Sequence, residues 1–297
     1  EVIFTSLYLN VISGPTLYNS IWESFVLPKL NIFCCAHFYD KNIQKLKNII
    51  PAGTGNNTYP KNWFVDNTQN NIANLNNTYA ELTFHYWIWK NYLDNFSKTD
   101  LIGFCQYRRF WLKKDYDKNL SYENLDNNLL NENNLNFSES EVFLTKSEKI
   151  FIKKKSILKY RGFIENIIDP RPLVSRFYHT AGLQFEISTK TKKIIYEVAS
   201  YIKKSEQDDY LNFLNTETKV NFHNMFITNK LILNEYMTDL FKWLNLCDEK
   251  IKKINTSRES SRRIHAFLAE RFLHFWFNKH HQISEIPYGF IDASKKI

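Results

Sequence analysis

Residues 29–38 read KLNIFCCAHF and carry a continuous apolar run set between Pro28 and the polar pair Tyr39–Asp40. A strand with one wet face alternates apolar and polar residues. This run does not alternate, so both of its faces must be buried, as in a parallel sheet covered by helices. A second such run, TDLIGFCQYRRFW (99–111), ends abruptly in Gln-Tyr-Arg-Arg, and NMFIT (224–228) is a third, shorter strand. Helical patterns lie between and after them. In TYAELTFHYWIWKNYL (78–93), Thr78 and Glu81 make a T-x-x-E capping box, and Leu82, Tyr86, Trp89 and Leu93 recur at helical spacing. LILNEYMTDLFKWLNL (231–246) is a further helix. RRIHAFLAERFLHFWF (262–277) sets Ile264, Phe267, Leu268, Phe272, Phe275 and Trp276 on one apolar face. Strands alternating with helices predict an α/β fold with a mostly helical C-terminal part.

Composition narrows the classes. The 297 residues are 43% hydrophobic, enough to fill a large core and to argue against disorder. Only 7 are glycine, which leaves little material for glycine-based phosphate loops. No run approaches the roughly 18 apolar residues of a membrane-spanning helix. Lys and Arg total 39 against 31 Asp and Glu, a net charge of +8. That excess suits phosphate-bearing ligands, an anionic membrane surface or nucleic acid, and it equally suits a chain simply rich in Lys, Asn and Ile. Basic and acidic residues interleave without a recognised binding motif, which argues against nucleic acid. Cys34, Cys35, Cys105 and Cys247 form no CxxC pair and read as small core hydrophobes of a reducing, cytoplasmic protein.

Residue 1 is Glu, and residues 1–28 read as an N-terminal extension, the tail of a preceding domain: a Gly14–Pro15 turn, the amphipathic LYNSIWESFVL, then Pro28. No basic n-region or small-residue cleavage site marks a signal peptide. Residues 29–297 form the principal domain. Within it, 50–77 is a polar loop of functional length, 117–137 an insertion or a pair of short helices, and 146–162 strongly basic.

Ligands of open α/β sheets bind beyond the carboxyl ends of strands. Arg108 and Arg109 would emerge there beside Tyr107, either as a fork for phosphate oxygens or as a surface pair bonded to Asp115 or Asp117. Asp66, in VDNTQNNI (65–72), suits a ribose, a metal or a sugar hydroxyl, or equally an Asx-turn. The Glu270–Arg271 pair reads as a solvated helix face unless the fold converges on it. His37, ending the first strand, is a ligand contact or a hydrogen-bonded structural residue. No HxxxH or HExxH pattern offers a zinc site, and GTG at 53–55 lacks the third glycine of a dinucleotide fingerprint. Phosphate-loop GKS/GKT and GxSxG elbows are also missing, which argues against kinases and serine hydrolases of those types.

The run NNTYAELTFHYWIWKN (76–91) followed by DLIGFCQYRRF (100–110) resembles a family of bacterial capsular and exopolysaccharide glycosyltransferases, whose pattern is N-x-x-x-x-E-L-T-x-x-Y-W-x-W-K-N and then an apolar strand ending H-Y-R-R. His37, the Ile50–Pro51 step, the Asp66 loop, NMFI (224–227) and FLAER (267–271) complete the order, over about residues 29–288. Separately, ISGPTLYNSIWE is similar to the terminal part of another sugar-transferase type. Two departures stand out. The histidine before Tyr-Arg-Arg is Gln106 here, and an acidic D-D-x-G-D-N-I loop is D-N-T-Q-N-N-I, with Asp66 its only carboxylate.

The resemblance implies a Rossmann-like, GT-A-like fold and transfer of a sugar from a nucleotide diphosphate, UDP-hexose being the commonest donor. The acceptor would be a growing capsular or other surface glycan, carried on a lipid. It implies donor contacts from His37, Asp66, Asn71, Lys90, Tyr107, Arg108, Arg109 and Arg271. Charge develops on the departing phosphate, so Arg108 and Arg109 take that role. Glu270 and Asp66 are the candidates for the base at the acceptor hydroxyl. No metal ligands are assigned, and Mg2+ or Mn2+ is the cofactor left open, because such ions prefer charged oxygen ligands. The protein would be cytoplasmic, with the basic segment 146–160 touching the inner membrane surface. The alternatives are a catalytically inactive interaction module of a polysaccharide-synthesis complex and a nucleic-acid-binding protein.

Overall fold

In the computed structural model the apolar runs become neighbouring strands of one mixed sheet. Residues 28–135, 141–150, 179–253 and 262–292 are described. In chain order the strands are β1 (Leu30–Ala36), β2 (Ile50–Gly53), β3 (Phe64–Val65), β4 (Leu101–Gln106), β5 (Arg109–Trp111), β6 (Val142–Thr145), β7 (Glu148–Lys149), β8 (Lys219–Val220), β9 (Phe226–Asn229), β10 (Ile283–Ile286) and β11 (Tyr288–Phe290). The α-helices are α1 (Lys41–Lys45), α2 (Asn76–Tyr79), α3 (Leu82–Trp87), α4 (Leu125–Asn128), α5 (Ala181–Thr189), α6 (Ile194–Val198), α7 (Gln207–Thr216), α8 (Lys230–Ile251) and α9 (Ile264–His280).

The main sheet runs β10-β6-β9-β4-β1-β2-β3, with β5 hydrogen-bonded to β4 and β11. Strands β1 to β4 are mutually parallel, and β9 runs against both β4 and β6. Both faces are buried, and the side chains of each strand alternate between two cores. Phe33, Cys35, Ile102, Phe104, Val142, Leu144 and Phe226 join the cluster under α3, α8 and α9. Ile32, Cys34, Ala36, Cys105, Phe143 and Ile227 join the cluster under α1 and Trp111. Gly103 sits where β4 meets β9; a Cβ there would lie 2.8 Å from Ile227 Cγ1, so the close approach needs glycine.

Two sequence expectations change. The helix over 78–93 is broken at Ala80, which adopts φ 49°, ψ −131°. The capping box does not form: the Thr78 hydroxyl donates to Leu75 O (3.0 Å). The reason is tertiary. Asn76 Nδ2 and Thr83 Oγ1 both donate to the Ala80 carbonyl, at 2.9 and 3.0 Å, and the Thr83 hydroxyl also approaches Asp66. Tying this corner to the Asp66 loop outweighs continuous helix. After α3 the chain passes through a π turn at Ile88–Tyr92. Likewise, 99–111 is not one strand but a hairpin: β4 ends at Gln106, Tyr107 and Arg108 turn, and Arg109 pairs back opposite Gln106. The 117–137 stretch holds α4 and a 3-10 turn at Glu132–Asn134, as a pair of short helices. The extension over 1–27 and the basic stretch beyond Ile150 lie outside the described residues. Among the described residues no helix is long and apolar enough to cross a membrane.

Candidate active site

Strand order reverses between β1 and β4, and in open α/β sheets the crevice beyond such a switch point holds the ligand. His37 leaves β1 there, and Tyr107 and Arg108 leave β4. The rings of His37 and Tyr107 meet edge to face at 4.8 Å, and the Arg108 guanidinium lies 4.9 Å from the Tyr107 centroid. Arg108 Nε is buried, without a hydrogen-bond partner among the described residues. Partial burial, then the nearby charges of Arg263 and Arg108, hold the His37 imidazole below its usual pKa, so it is a neutral ring beside two cations.

The hairpin turn sends the next arginine to the other side. Arg109 Nη1 donates to Gln106 Oε1 (3.0 Å), and Gln106 Nε2 donates to Glu81 Oε1 (3.0 Å) and to His223 O (2.8 Å). Glu81 Oε1 also accepts from Asn224 Nδ2 (2.9 Å), and Glu81 Oε2 lies 3.5 Å from Arg263 Nη2. Glu270 Oε1 accepts the His223 N–H (3.1 Å), and its Oε2 accepts from Arg271 Nη1 (2.7 Å). His223 and Asn224 have φ values of 80° and 51°, a consecutive left-handed pair that costs on the order of 1–3 kcal/mol per residue. Their side chains hold them there: His223 Nε2 meets the Tyr288 hydroxyl at 3.1 Å, and Asn224 Nδ2 also donates to Ala266 O. These groups enclose a pocket of about 350 Å³ into which Glu81, Gln106, Arg109, His223, Arg263 and Glu270 face.

The family described as Domain of unknown function (DUF4422) matches residues 31–282 of this sequence. The chain belongs to that family. Among solved structures, the DUF4422 chain is similar to the apo form of the WbbM bifunctional glycosyltransferase, at a TM-score of 0.65 and 20% identity. The match covers 89% of this chain and 45% of that one, so the chain spans less than half the length of that relative. The likeness is one of fold: a GT-A-like α/β sheet with a helical C-terminal part. No curated protein matches the chain.

The DUF4422 fold gathers some of the residues singled out by the sequence and scatters others. Arg109 and Glu270 share the pocket; His37, Tyr107 and Arg108 share the adjoining crevice. Neither arginine is tied up as a surface pair, since Asp115 pairs with Lys113 (3.9 Å) and Asp117 accepts the Asn119 N–H. Nor is Glu270–Arg271 a solvated face: Arg271 is 1% exposed, with Phe185, Phe222 and Phe267 rings 5.7 to 6.0 Å from its guanidinium. That enclosure bars Arg271 from direct contact with a donor in the pocket.

Asp66 is fully buried, its Oδ1 accepting the Gly55 N–H and its Oδ2 the Thr83 hydroxyl. Burial pushes its carboxyl up to about 6. Asn71 is exposed and organises its own loop, donating to Thr68 O and Gln69 O. Lys90 lies 3.3 Å over the Trp89 ring, and Trp89 is tied to Asn234 on α8. None of these three lines the pocket.

Glu81, His223 and Arg263 do line it, and sequence reasoning missed them. Glu81 was absorbed by the capping-box pattern, and the other two carry no local signal.

Divalent cations take charged oxygen ligands. Here the oxygens of Glu81, Glu270 and Asp66 already accept from amides, a hydroxyl or guanidinium groups. Among the described residues no three His, Cys, Asp or Glu side chains gather as a ligand set. The described residues do not fit a divalent ion.

Proposed function

We propose that the protein is a glycosyltransferase that moves a hexose from a UDP donor to a hydroxyl of a growing surface glycan. The observation that carries this reading is the placement, at one switch point, of Arg109 and the Glu270 carboxylate on one pocket and of Arg108 in the adjoining crevice, with no carboxylate partner for either arginine among the described residues. Arg108 in the two-residue turn and Arg109 at the start of β5 would take the diphosphate between them. Guanidinium groups stay charged and fork onto phosphate oxygens, and in a water-poor site they stabilise the charge that develops as the leaving group departs. The neutral His37 ring and Tyr107 wall the crevice and would face the nucleoside.

Glu270 is the base. The acceptor oxygen bonds to the anomeric carbon, its proton passes to the Glu270 carboxylate, and the bond to the phosphate oxygen breaks with its electron pair leaving on UDP. Likeness in fold to a bifunctional glycosyltransferase supports this class of reaction. A capsular glycan on a lipid carrier at the inner membrane face is the acceptor that the sequence resemblance favours.

The test is a thermal-shift screen with nucleotides followed by mass analysis of products from a panel of nucleotide sugars. A ligand of the native state raises the melting temperature by mass action. Stabilisation by UDP with a new glycosylated product supports the reading. Stabilisation by UDP without turnover of any donor would mark an inactive module, and stabilisation by oligonucleotide alone would overturn it.

A further inference from the structure

Arg271 presents an anomaly that donor binding does not explain. Its side chain is 1% exposed, and among the described residues its Nε and Nη2 have no hydrogen-bond partner. Buried polar groups are nearly always paired, so an orphaned guanidinium needs a reason. Its Nη1 makes two bonds, to Phe267 O (3.1 Å) and to Glu270 Oε2 (2.7 Å). Three phenylalanine rings surround the rest. The cation is therefore spent on one carboxylate, and that carboxylate is 14% exposed and opens on the pocket.

We infer that Arg271 is a positioning residue that keeps the Glu270 carboxylate ionised and aimed at the acceptor hydroxyl, and that it does not touch the donor. The inference rests on the transferase reading above. The geometry makes Glu270 a clamped group: the His223 N–H fixes one oxygen and Arg271 the other. The other charged or titratable groups facing it in the pocket are Glu81 beside α3, Arg109 on β5, Glu148 on β7, His223 before β9 and Arg263 beside α9. Burial pushes the Glu270 carboxyl up, with Arg271 the strongest opposing influence, Glu81 adding to the rise and Arg263 opposing it. Loss of Arg271 would remove the strongest influence that opposes this rise, and a carboxyl that holds its proton cannot accept another.

The experiment compares wild type, Arg271→Met and Arg271→Lys by three readouts: UDP affinity by calorimetry, the pH–rate profile of sugar transfer, and titration of the Glu270 carboxyl by carbon NMR against a Glu270→Gln reference. Arg271→Met should leave UDP affinity within about twofold and move the acid limb of the profile up by about two pH units, with the rate recovering at high pH. The NMR titration should move by the same amount, and Arg271→Lys should restore most of both. Should Arg271→Met not fold, the double variant Glu270→Gln/Arg271→Met removes the unpaired charge and should fold, and Arg271→Lys carries the titration. An unmoved acid limb or titration, or loss of UDP binding with the profile unchanged, would overturn the assignment. If the wild type turns over no nucleotide sugar, the transferase reading fails while the NMR titration still decides whether Arg271 governs Glu270.

Discussion

Gln106 Oε1 accepts a hydrogen bond from Arg109 Nη1 across the two-residue turn that separates them. The same amide, through Nε2, reaches Glu81 and the carbonyl of His223. One neutral side chain thus couples the turn of the β4–β5 hairpin to the loop before β9 and to the corner before α3. Gln106→Leu should loosen Arg109 and take one amide donor from the nearly buried Glu81, whose side chain is 8% exposed. We expect transfer to fall by about 10–100-fold, chiefly in kcat, with a stability loss of about 1–3 kcal/mol in denaturant unfolding.

Arg108 is the more exposed test of the anion site, since among the described residues no carboxylate pairs with it. Arg108→Ala should reduce kcat/KM by about a thousandfold or more while shifting the melting temperature by no more than about 2 °C. Near-normal turnover would remove this residue from the mechanism.

Carboxylates whose oxygens are already taken should make the reaction insensitive to chelation. In the proposed reaction, where arginines supply the positive charge at the diphosphate, turnover in EDTA should stay within about twofold of the untreated rate. Complete loss in EDTA, restored by Mn2+, would show that a metal completes the site.

Asp66 gives a stability signature with a definite sign. Its folded pKa is about 6 against an ordinary 3.8, so the fold favours the protonated carboxyl. That contribution is whole below pH 4 and is lost as pH rises through 6, on the order of 3 kcal/mol in all. Asp66→Asn should flatten the fall between pH 4 and 7. Urea unfolding at several pH values would show it, and an unchanged slope would assign the dependence elsewhere.

His85 acts in the opposite direction. It is buried against Phe104, ring centroids 4.0 Å apart, and burial holds its pKa down at about 3. The unfolded chain takes a proton near 6.5, so this contribution is present above pH 6.5 and lost as pH falls, by about 1.4 kcal/mol per pH unit. His85→Phe should make acid unfolding less steep, measured by circular dichroism between pH 7 and 4.

Much of the architecture was legible because burial on both faces leaves a plain trace. Ile32–Ala36 and Leu101–Cys105 are continuous apolar runs, and they lie in the adjacent parallel strands that define the switch point. The turn after Gln106 was legible where the apolar run stops at charged residues, but the return of the chain into β5 was not, because Gln-Tyr-Arg-Arg contains none of the glycine, proline or asparagine that usually announces a tight hairpin. The break at Ala80 was hidden for the opposite reason. T-x-x-E is a sound local signal, yet the bonds from Asn76 and Thr83 to the Ala80 carbonyl, fixed by tertiary contact, override it. Of the residues that line the pocket, the sequence singles out Arg109 and Glu270. Glu81, His223 and Arg263 come from three separate segments and meet only after folding. Arg271 was found but miscast, since exposure cannot be read from a Glu-Arg pair on a helix.

Strand β9 runs backwards between β4 and β6, so its beginning lies against the end of β4. His223 therefore reaches the pocket from just before the start of a strand, whereas His37 and Tyr107 follow strand ends. A fragment stopping before this reversed strand would keep every parallel pair from β1 to β4 and still have an unfinished rim. The strands β1 to β4 thus do not complete the pocket by themselves, and cutting the chain before β9 should cost ligand affinity even where those strands stay folded.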